Sequence, residues 1–206
     1  MFQQSGGITS LLKEGSRIFS GLEEAILRNI DACKQLSSIT RTSLGPYGMN
    51  KMVINNIEKL FVTTDAATIM KELDVAHPAA KLIVMAAKMQ EDEVGDGTNF
   101  VVTFAGELLK QAEDLINMGL HPSDILSGFE KAYRKTEEII TELVSFTINS
   151  TTDKDEITKV LKPVLGSKIY GCEDVLAPIV AEACITTVED GQKFDIENLR
   201  ITKLTG

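Results

Sequence analysis

From residue 66 to residue 145, apolar side chains recur at every third or fourth position, and glycine or proline cuts the pattern at His77-Pro78, at Gly95-Asp96-Gly97, and between Gly119 and Pro122. Spacing of this kind commits the chain to consecutive amphipathic helices joined by short turns, and such helices must pack on one another. Asp65 stands where an N-cap belongs, ahead of a helix over residues 66–73. Pro78 occupies the first position of the next helix, whose stripe is Ala79, Leu82, Ile83, Ala86 and Met89. Thr98 opens a long helix through Phe100, Val101, Phe104, Leu108, Leu109 and Leu115 to a Gly119 C-cap, and Pro122 and Ser123 start another that reaches about Ser145. Upstream, Ser20 and Glu23 form a capping box before Leu22, Ala25, Ile26, Ile30, Cys33 and Leu36. That first helix must end before Gly45-Pro46-Tyr47-Gly48, because proline disfavours helical geometry in the residue ahead of it.

Two short runs of β-formers, residues 51–55 and 60–63, flank a polar turn and predict a hairpin. The polar stretch 147–156 has no periodicity and predicts a boundary. Beyond it lie two shorter helices, 156–165 and 173–184, locally disturbed by Pro163 and Pro178, and a strand over residues 198–204. The expected fold is therefore mainly α. A helical unit with a small hairpin, residues 1–145, precedes a partial α+β unit, residues 146–206, whose own core is too small to stand alone.

With a net charge of -9, the chain would repel a phosphate backbone, and no basic patch offsets it, which argues against nucleic acid as a partner. The longest apolar run, residues 82–87, is too short to cross a bilayer, and residues 1–10 lack the pattern of a secretory signal. Cys33, Cys172 and Cys184 form no C-x-x-C pair and sit in apolar helical patterns, as buried free thiols do in a reducing compartment, so a cytoplasmic location is expected.

Three segments put backbone amides or a carboxylate at a helix end or in a glycine loop: residues 44–48, Asp65, and residues 95–100. The free amides opening the helix at Thr98 carry partial positive charge, Gly95 and Gly97 allow close approach of the chain, and Asp96 suits Mg²⁺, which takes one or two carboxylates plus phosphate oxygens and water. One helix end contributes roughly 0.3–2 kcal/mol, whereas micromolar binding needs about 8 kcal/mol, so several elements must converge. Read alone, the acidic glycine turn is equally a helix-to-helix turn, Asp65 an ordinary N-cap and Gly45-Pro46 a turn. There is no G-x-x-x-x-G-K-[ST] and no G-x-S-x-G, and the glycine turn follows a helix where a dinucleotide fingerprint needs a strand. His77 and His121 each precede a proline and have no ligand partner at zinc spacing.

In order along the chain, residues 42–51 (TSLGPYGMNK), 61–69 (FVTTDAATI), 77–81 (HPAAK) and 95–99 (GDGTN) resemble the group II chaperonins, the family of the eukaryotic cytosolic complex TRiC. The resemblance runs over nearly the whole chain. It implies that residues up to about 145 are the amino-terminal half of the ATP-binding equatorial domain and that the rest begins the intermediate domain, with the apical domain and the returning half lying beyond Gly206. It implies ATP or ADP with Mg²⁺ as cofactors, lined by Leu44, Gly45, Pro46, Gly97, Thr98, Asn99, Phe100, Gly166, Ser167 and Lys168, with Asp96 holding the metal. Asp65 matches the carboxylate near the γ-phosphate and the attacking water. The family's water-activating aspartate would fall past Gly206, so this segment alone should not hydrolyse ATP efficiently. Implied partners are paralogous subunits in a double ring and non-native clients, actin and tubulin among them. Two departures stand out: Thr64-Asp65-Ala66 replaces the usual Asn-Asp-Gly, where Ala66 could not take up strained glycine geometry cheaply, and Asn99 replaces a common hydroxyl residue. One subunit type shares both. They raise the alternatives of a structural ring member that binds nucleotide but turns it over slowly, or of a truncated, inactive chain.

Overall fold

The computed structural model describes residues 22–188, 194, 196–202 and 204. Among these residues seven α-helices follow one another: α1 (Leu22–Arg41), α2 (Ala66–Glu72), α3 (Pro78–Val94), α4 (Thr98–Asn117), α5 (Pro122–Ile140), α6 (Lys154–Gly166) and α7 (Glu173–Thr187). Between α1 and α2 lies an antiparallel hairpin, β1 (Lys51–Ile54) and β2 (Leu60–Thr63), in register from Lys51 opposite Thr63 to Ile54 opposite Leu60. Helix α1 is present as expected, but Ser20 of its capping box lies outside the described residues.

The core sits where α1, α2, α3 and α4 meet: Cys33, Leu36, Met70, Ala80, Ile83, Ala87 and Val102 are buried in one cluster. Burying each of its larger side chains contributes about 1.5–3 kcal/mol. Helices α1 and α4 run antiparallel and close together, because Gly106 has no Cβ; one built there would lie 2.2 Å from Ser37 Oγ. Ion pairs Lys34–Glu113 and Arg41–Glu107 flank that contact. The hairpin docks on the core through Val53, and its turn is tied to α2 by Asn55 Nδ2 donating to Glu72 Oε2 at 2.9 Å.

The turns follow local chemistry. Gly95 ends α3 in left-handed geometry (φ 77°), and Gly119 (φ 92°) ends α4, with its amide bonded to Ile116 O and that of Leu120 to Leu115 O. Pro78 and Pro122 both take the first turn of their helices, as expected.

Four expectations need correction. Helix α5 stops at Ile140, not near Ser145: the next amides make the tighter bonds Glu142 to Ile139 and Leu143 to Ile140, and the exposed side chains of Leu143 and Val144 have no packing to hold another turn. No strand forms at the described residues within 198–204; Asn198 ends a short 3-10 helix (Ile196–Asn198), and residues 199–202 and 204 carry no regular structure. A strand needs a neighbour to take its backbone bonds, and the sheet found among the described residues is the β1–β2 hairpin alone. Among the described residues after 145 the regular elements are α6, α7 and that 3-10 turn, and both α-helices run through their prolines. Cys172 is exposed at the start of α7, and Cys184 is partly so; Cys33 is the buried thiol, and burial pushes its pKa up. Ala66, finally, is the first residue of α2, fully buried and free of positive φ, so the position demands no glycine.

Candidate functional site

Three local structures converge on one small cleft, lined by Ser43, Leu44, Gly45, Thr64, residues 96–100, Ser167 and Lys168. Its first wall is the loop leaving α1. Ser43 and Leu44 are held by their amides to Thr40 O and Arg41 O, Gly45 turns with φ 83°, and the Gly48 amide closes back on Gly45 O at 3.0 Å. The loop is so tight that a Cβ on Gly48 would lie 2.3 Å from Ser43 O.

The second wall is the amino end of α4. Gly97 is its N-cap, left-handed at φ 79°, and with no side chain it leaves the first amides of the helix without a cap. These amides carry the positive end of the helix dipole. Thr98, 2% exposed, also lines the cleft, and its hydroxyl oxygen is buried with no hydrogen-bond partner among the described residues. A buried unpaired hydroxyl costs roughly 1–3 kcal/mol, so an acceptor or donor entering the cleft would relieve that cost. Gln90 keeps the turn in place by donating from Nε2 to Asp96 O at 2.8 Å. Asp96 is partly exposed and also lines the cleft. Among the described residues no three His, Cys, Asp or Glu side chains gather as a metal cage. A single carboxylate beside a phosphate-sized space fits Mg²⁺, which asks no more of a protein than that.

The third wall comes from the end of α6. Ser167 is its C-cap, and Lys168 reaches across to Asp65, with Nζ 3.0 Å from Oδ1. Asp65 caps α2 through Oδ2, accepting from Thr68 N–H at 2.9 Å and Thr68 Oγ1 at 2.8 Å. Burial by itself pushes the Asp65 carboxyl up, but the Thr68 amide, the Lys168 ammonium and the Thr68 hydroxyl outweigh it and hold it below the ordinary carboxylate value.

Of the residues singled out from sequence, Leu44, Gly45, Asp96, Gly97, Thr98, Asn99, Phe100, Ser167 and Lys168 line the cleft, and Asp65 adjoins it through Lys168. Pro46 and Gly166 do not line it; Pro46 is exposed on the loop, and Gly166 is the last residue of α6. The Phe100 ring is mostly exposed and stacks on Phe104 with centroids 5.6 Å apart. Asn99 differs most from expectation, since its side-chain amide bonds within the protein. Sequence reasoning missed Ser43, Thr64 and Gln90. Ser43 and Thr64 each adjoin a segment singled out for its glycine or carboxylate, which was the available signal; Gln90 lay mid-helix with none.

The cleft holds about 140 Å³, a few waters' worth and well under the roughly 300–1,000 Å³ that encloses a whole small-molecule ligand. Its size and donors suit the phosphate end of a ligand. A larger groove of about 570 Å³ between the hairpin turn and the α2–α3 junction has no helix amino end opening into it, and its Asn55 and Asn56 amides are already bonded to Glu72 and Asp74.

The pattern of the TCP-1/cpn60 chaperonin family matches residues 36–206. The chain is 58% identical over 201 residues to T-complex protein 1 subunit theta of Dictyostelium discoideum, covering 97% of this chain and 37% of that relative. It is 54% identical over 200 residues to the Mus musculus protein of the same description, covering 97% and 36%, and 53% identical over 210 residues to that of Arabidopsis thaliana, covering 100% and 38%. The chain thus spans little more than a third of the length of these relatives. Among the described residues no helix is long and apolar enough to cross a membrane.

Proposed function

The chain belongs to the TCP-1/cpn60 chaperonin family, and from that premise we propose that it supplies the phosphate-binding wall of an ATP-driven, cytoplasmic protein-folding machine. The observation that carries this reading is the uncapped amino end of α4, with Thr98, whose hydroxyl is unpartnered among the described residues, and Asp96 both lining the cleft. Backbone amides of residues 98–100 donate to phosphate oxygens, and Gly97 lets those oxygens approach without a side chain in the way. Asp96 is the residue that would hold Mg²⁺, which would supply positive charge against the triphosphate. Lys168 adds positive charge from the opposite side. Asp65, kept ionised by its partners, is a weak proton acceptor near neutral pH, and its part is to accept a hydrogen bond and orient a water near the terminal phosphate.

On this reading residues 1–145 form half of an equatorial nucleotide domain and residues 146–206 begin an intermediate domain that moves as a lever when nucleotide binds. The similarity to theta subunits supports assembly with paralogous subunits in a double ring around non-native clients such as actin and tubulin. A second reading, a ring member that binds nucleotide and turns it over slowly, is favoured by Asp65 being bonded three times over already.

The test is titration of a fluorescent ATP analogue into the full-length chain assembled in its ring, with and without Mg²⁺. Asp96→Ala is expected to weaken Mg²⁺-dependent affinity by about tenfold or more, the scale of one charge-assisted contact. Unchanged Mg²⁺-dependent affinity would remove Asp96 from the site. Single-turnover hydrolysis in rings altered only at this subunit separates the two readings, since a large fall in total ATPase contradicts slow turnover.

A further inference from the structure

Asn99 is 7% exposed, and its side chain has no donor left for a phosphate oxygen. Nδ2 donates to Thr40 O at 3.0 Å and to Ser43 Oγ at 3.1 Å, while Oδ1 accepts from Thr103 Oγ1 at 3.1 Å. The orientation of the amide follows from chemistry: Thr40 O is an acceptor only, so the atom facing it must be the amide nitrogen. Ser43 Oγ in turn donates to Thr40 O at 2.7 Å, and the Ser43 amide reaches the same carbonyl at 2.9 Å. Three donors thus converge on one carbonyl in the last turn of α1, and two of them belong to the residue that leads into Leu44 and Gly45. Asn99 itself is the second residue of α4, beside Thr98. Its amide ties together two walls of the cleft that lie 59 and 56 residues apart in sequence.

We infer that Asn99 is a positioning residue, whose side chain clamps the loop of residues 43–45 to the amino end of α4 and so sets the width of the phosphate cleft without that side chain touching the ligand. This rests on the nucleotide-binding reading above. The clamp is buried, so water does not replace it when it is cut, and the Ser43 hydroxyl in the loop and the Thr40 carbonyl at the end of α1 both lose their hydrogen bonds to the amino end of α4. Its effect falls on how well the cleft is formed before nucleotide arrives. A looser loop lowers the population of the binding-competent shape, which weakens every phosphate-bearing nucleotide by the same factor.

The experiment uses the full-length chain in its assembled ring, with fluorescent ATP and ADP analogues in the presence of Mg²⁺ and steady-state ATPase as readouts. Asn99→Ala is expected to weaken both nucleotides equally, by roughly 5- to 30-fold, the loss of one or two buried hydrogen bonds. It should raise KM and leave kcat largely intact. Ser43→Ala alone is expected to cost several-fold, and adding it to Asn99→Ala should cost little more, because the two residues share one clamp. Asn99→Asp keeps the shape but turns an oxygen towards Thr40 O, so it should be at least as damaging as alanine. Should Asn99→Ala fail to assemble, Ser43→Ala carries the test, and unchanged affinity there overturns the clamp. Additive effects of the two alanines, or a fall in kcat at constant KM, would overturn it as well. An unmodified ring in which this subunit binds no Mg²⁺-nucleotide overturns the nucleotide reading and the clamp with it, whereas normal binding with a neutral Asn99→Ala overturns the clamp alone.

Discussion

The loop and helix end that form two walls of the cleft rest on α1 to α4, where Leu36, Met70, Ile83 and Val102 are buried together, whereas the wall carrying Ser167 and Lys168 rests on α6, in which no residue is buried, and α7, in which Ala177 and Ala181 are. The first side is also stitched by buried hydrogen bonds at Asn99 and by a loop with no room for one more carbon at Gly48. The second meets it through Lys168 and Asp65, an ion pair about one-third exposed. Local stability follows buried apolar contact. The difference teaches that the amide-bearing side is built on buried apolar contact, while the lysine-bearing side has little of it.

The largest effect expected from this contrast comes from truncating one apolar side chain on each side. Met70→Ala empties space at the centre of the α1–α4 core and should destabilise the full-length chain by about 2–5 kcal/mol. Ile179→Ala, in α7, removes a side chain 60% exposed and should stay within about 0.5 kcal/mol. Chemical denaturation midpoints measure both. A multi-kcal/mol loss at Ile179 would mean that α7 packs on a face not seen among the described residues, and would break the comparison.

Next in size is a pair of identical changes with opposite sign. A Cβ on Gly48 meets backbone on two sides, Ser43 O at 2.3 Å and Gly45 O at 2.9 Å. Gly48→Ala should therefore cost about 1–3 kcal/mol and weaken nucleotide binding, because the loop must open. At Gly166 the nearest atom to a new Cβ is the Glu173 side chain at 3.9 Å, an ordinary contact, and the residue is helical. Gly166→Ala should stabilise by about 0.4–1 kcal/mol through the unfolded chain. Thermal unfolding of the two variants gives the sign directly. A neutral Gly48→Ala would show the first wall to be looser than its contacts imply.

Much of this contrast was legible in the sequence where the physics is local. Gly95, Gly97 and Gly119 mark positive φ, Pro78 and Pro122 mark first helical turns, and Asp65 caps α2 as its place before Ala66 suggested. These follow from what one residue does to its own backbone. What was not legible depends on partners far along the chain. Asn99 stands in the segment expected to hold phosphate with its side chain, yet the acceptors it found are at positions 40 and 43. The doubt attached to Ala66 dissolved because the position is an ordinary helix start. Residues 198–202 have β-forming neighbours in sequence but no strand to pair with among the described residues.

The smallest and most diagnostic expectation concerns the link between the two sides. Lys168→Ala removes a partly exposed ion pair, so at neutral pH it should cost no more than about 1 kcal/mol of global stability. Its signature lies in pH and in location. The Asp65 carboxyl is held below its ordinary value of 3.8, against the opposing effect of burial, by the Thr68 amide, Lys168 and the Thr68 hydroxyl. A depressed folded-state value means that the contribution of the carboxylate is fully present above about 3.8 and is lost as pH falls through the lower folded value. Without Lys168, the Asp65 titration should move up towards the ordinary value, and the stability difference between parent and variant should shrink below that pH, because a protonated Asp65 has no ion pair to lose. Hydrogen exchange sharpens the point: amides of α6 and α7 should exchange faster in Lys168→Ala, and those of α1 and α4 should not change. Faster exchange in α4 would mean that Lys168 supports the amide-bearing side too, and the two walls would then be one unit.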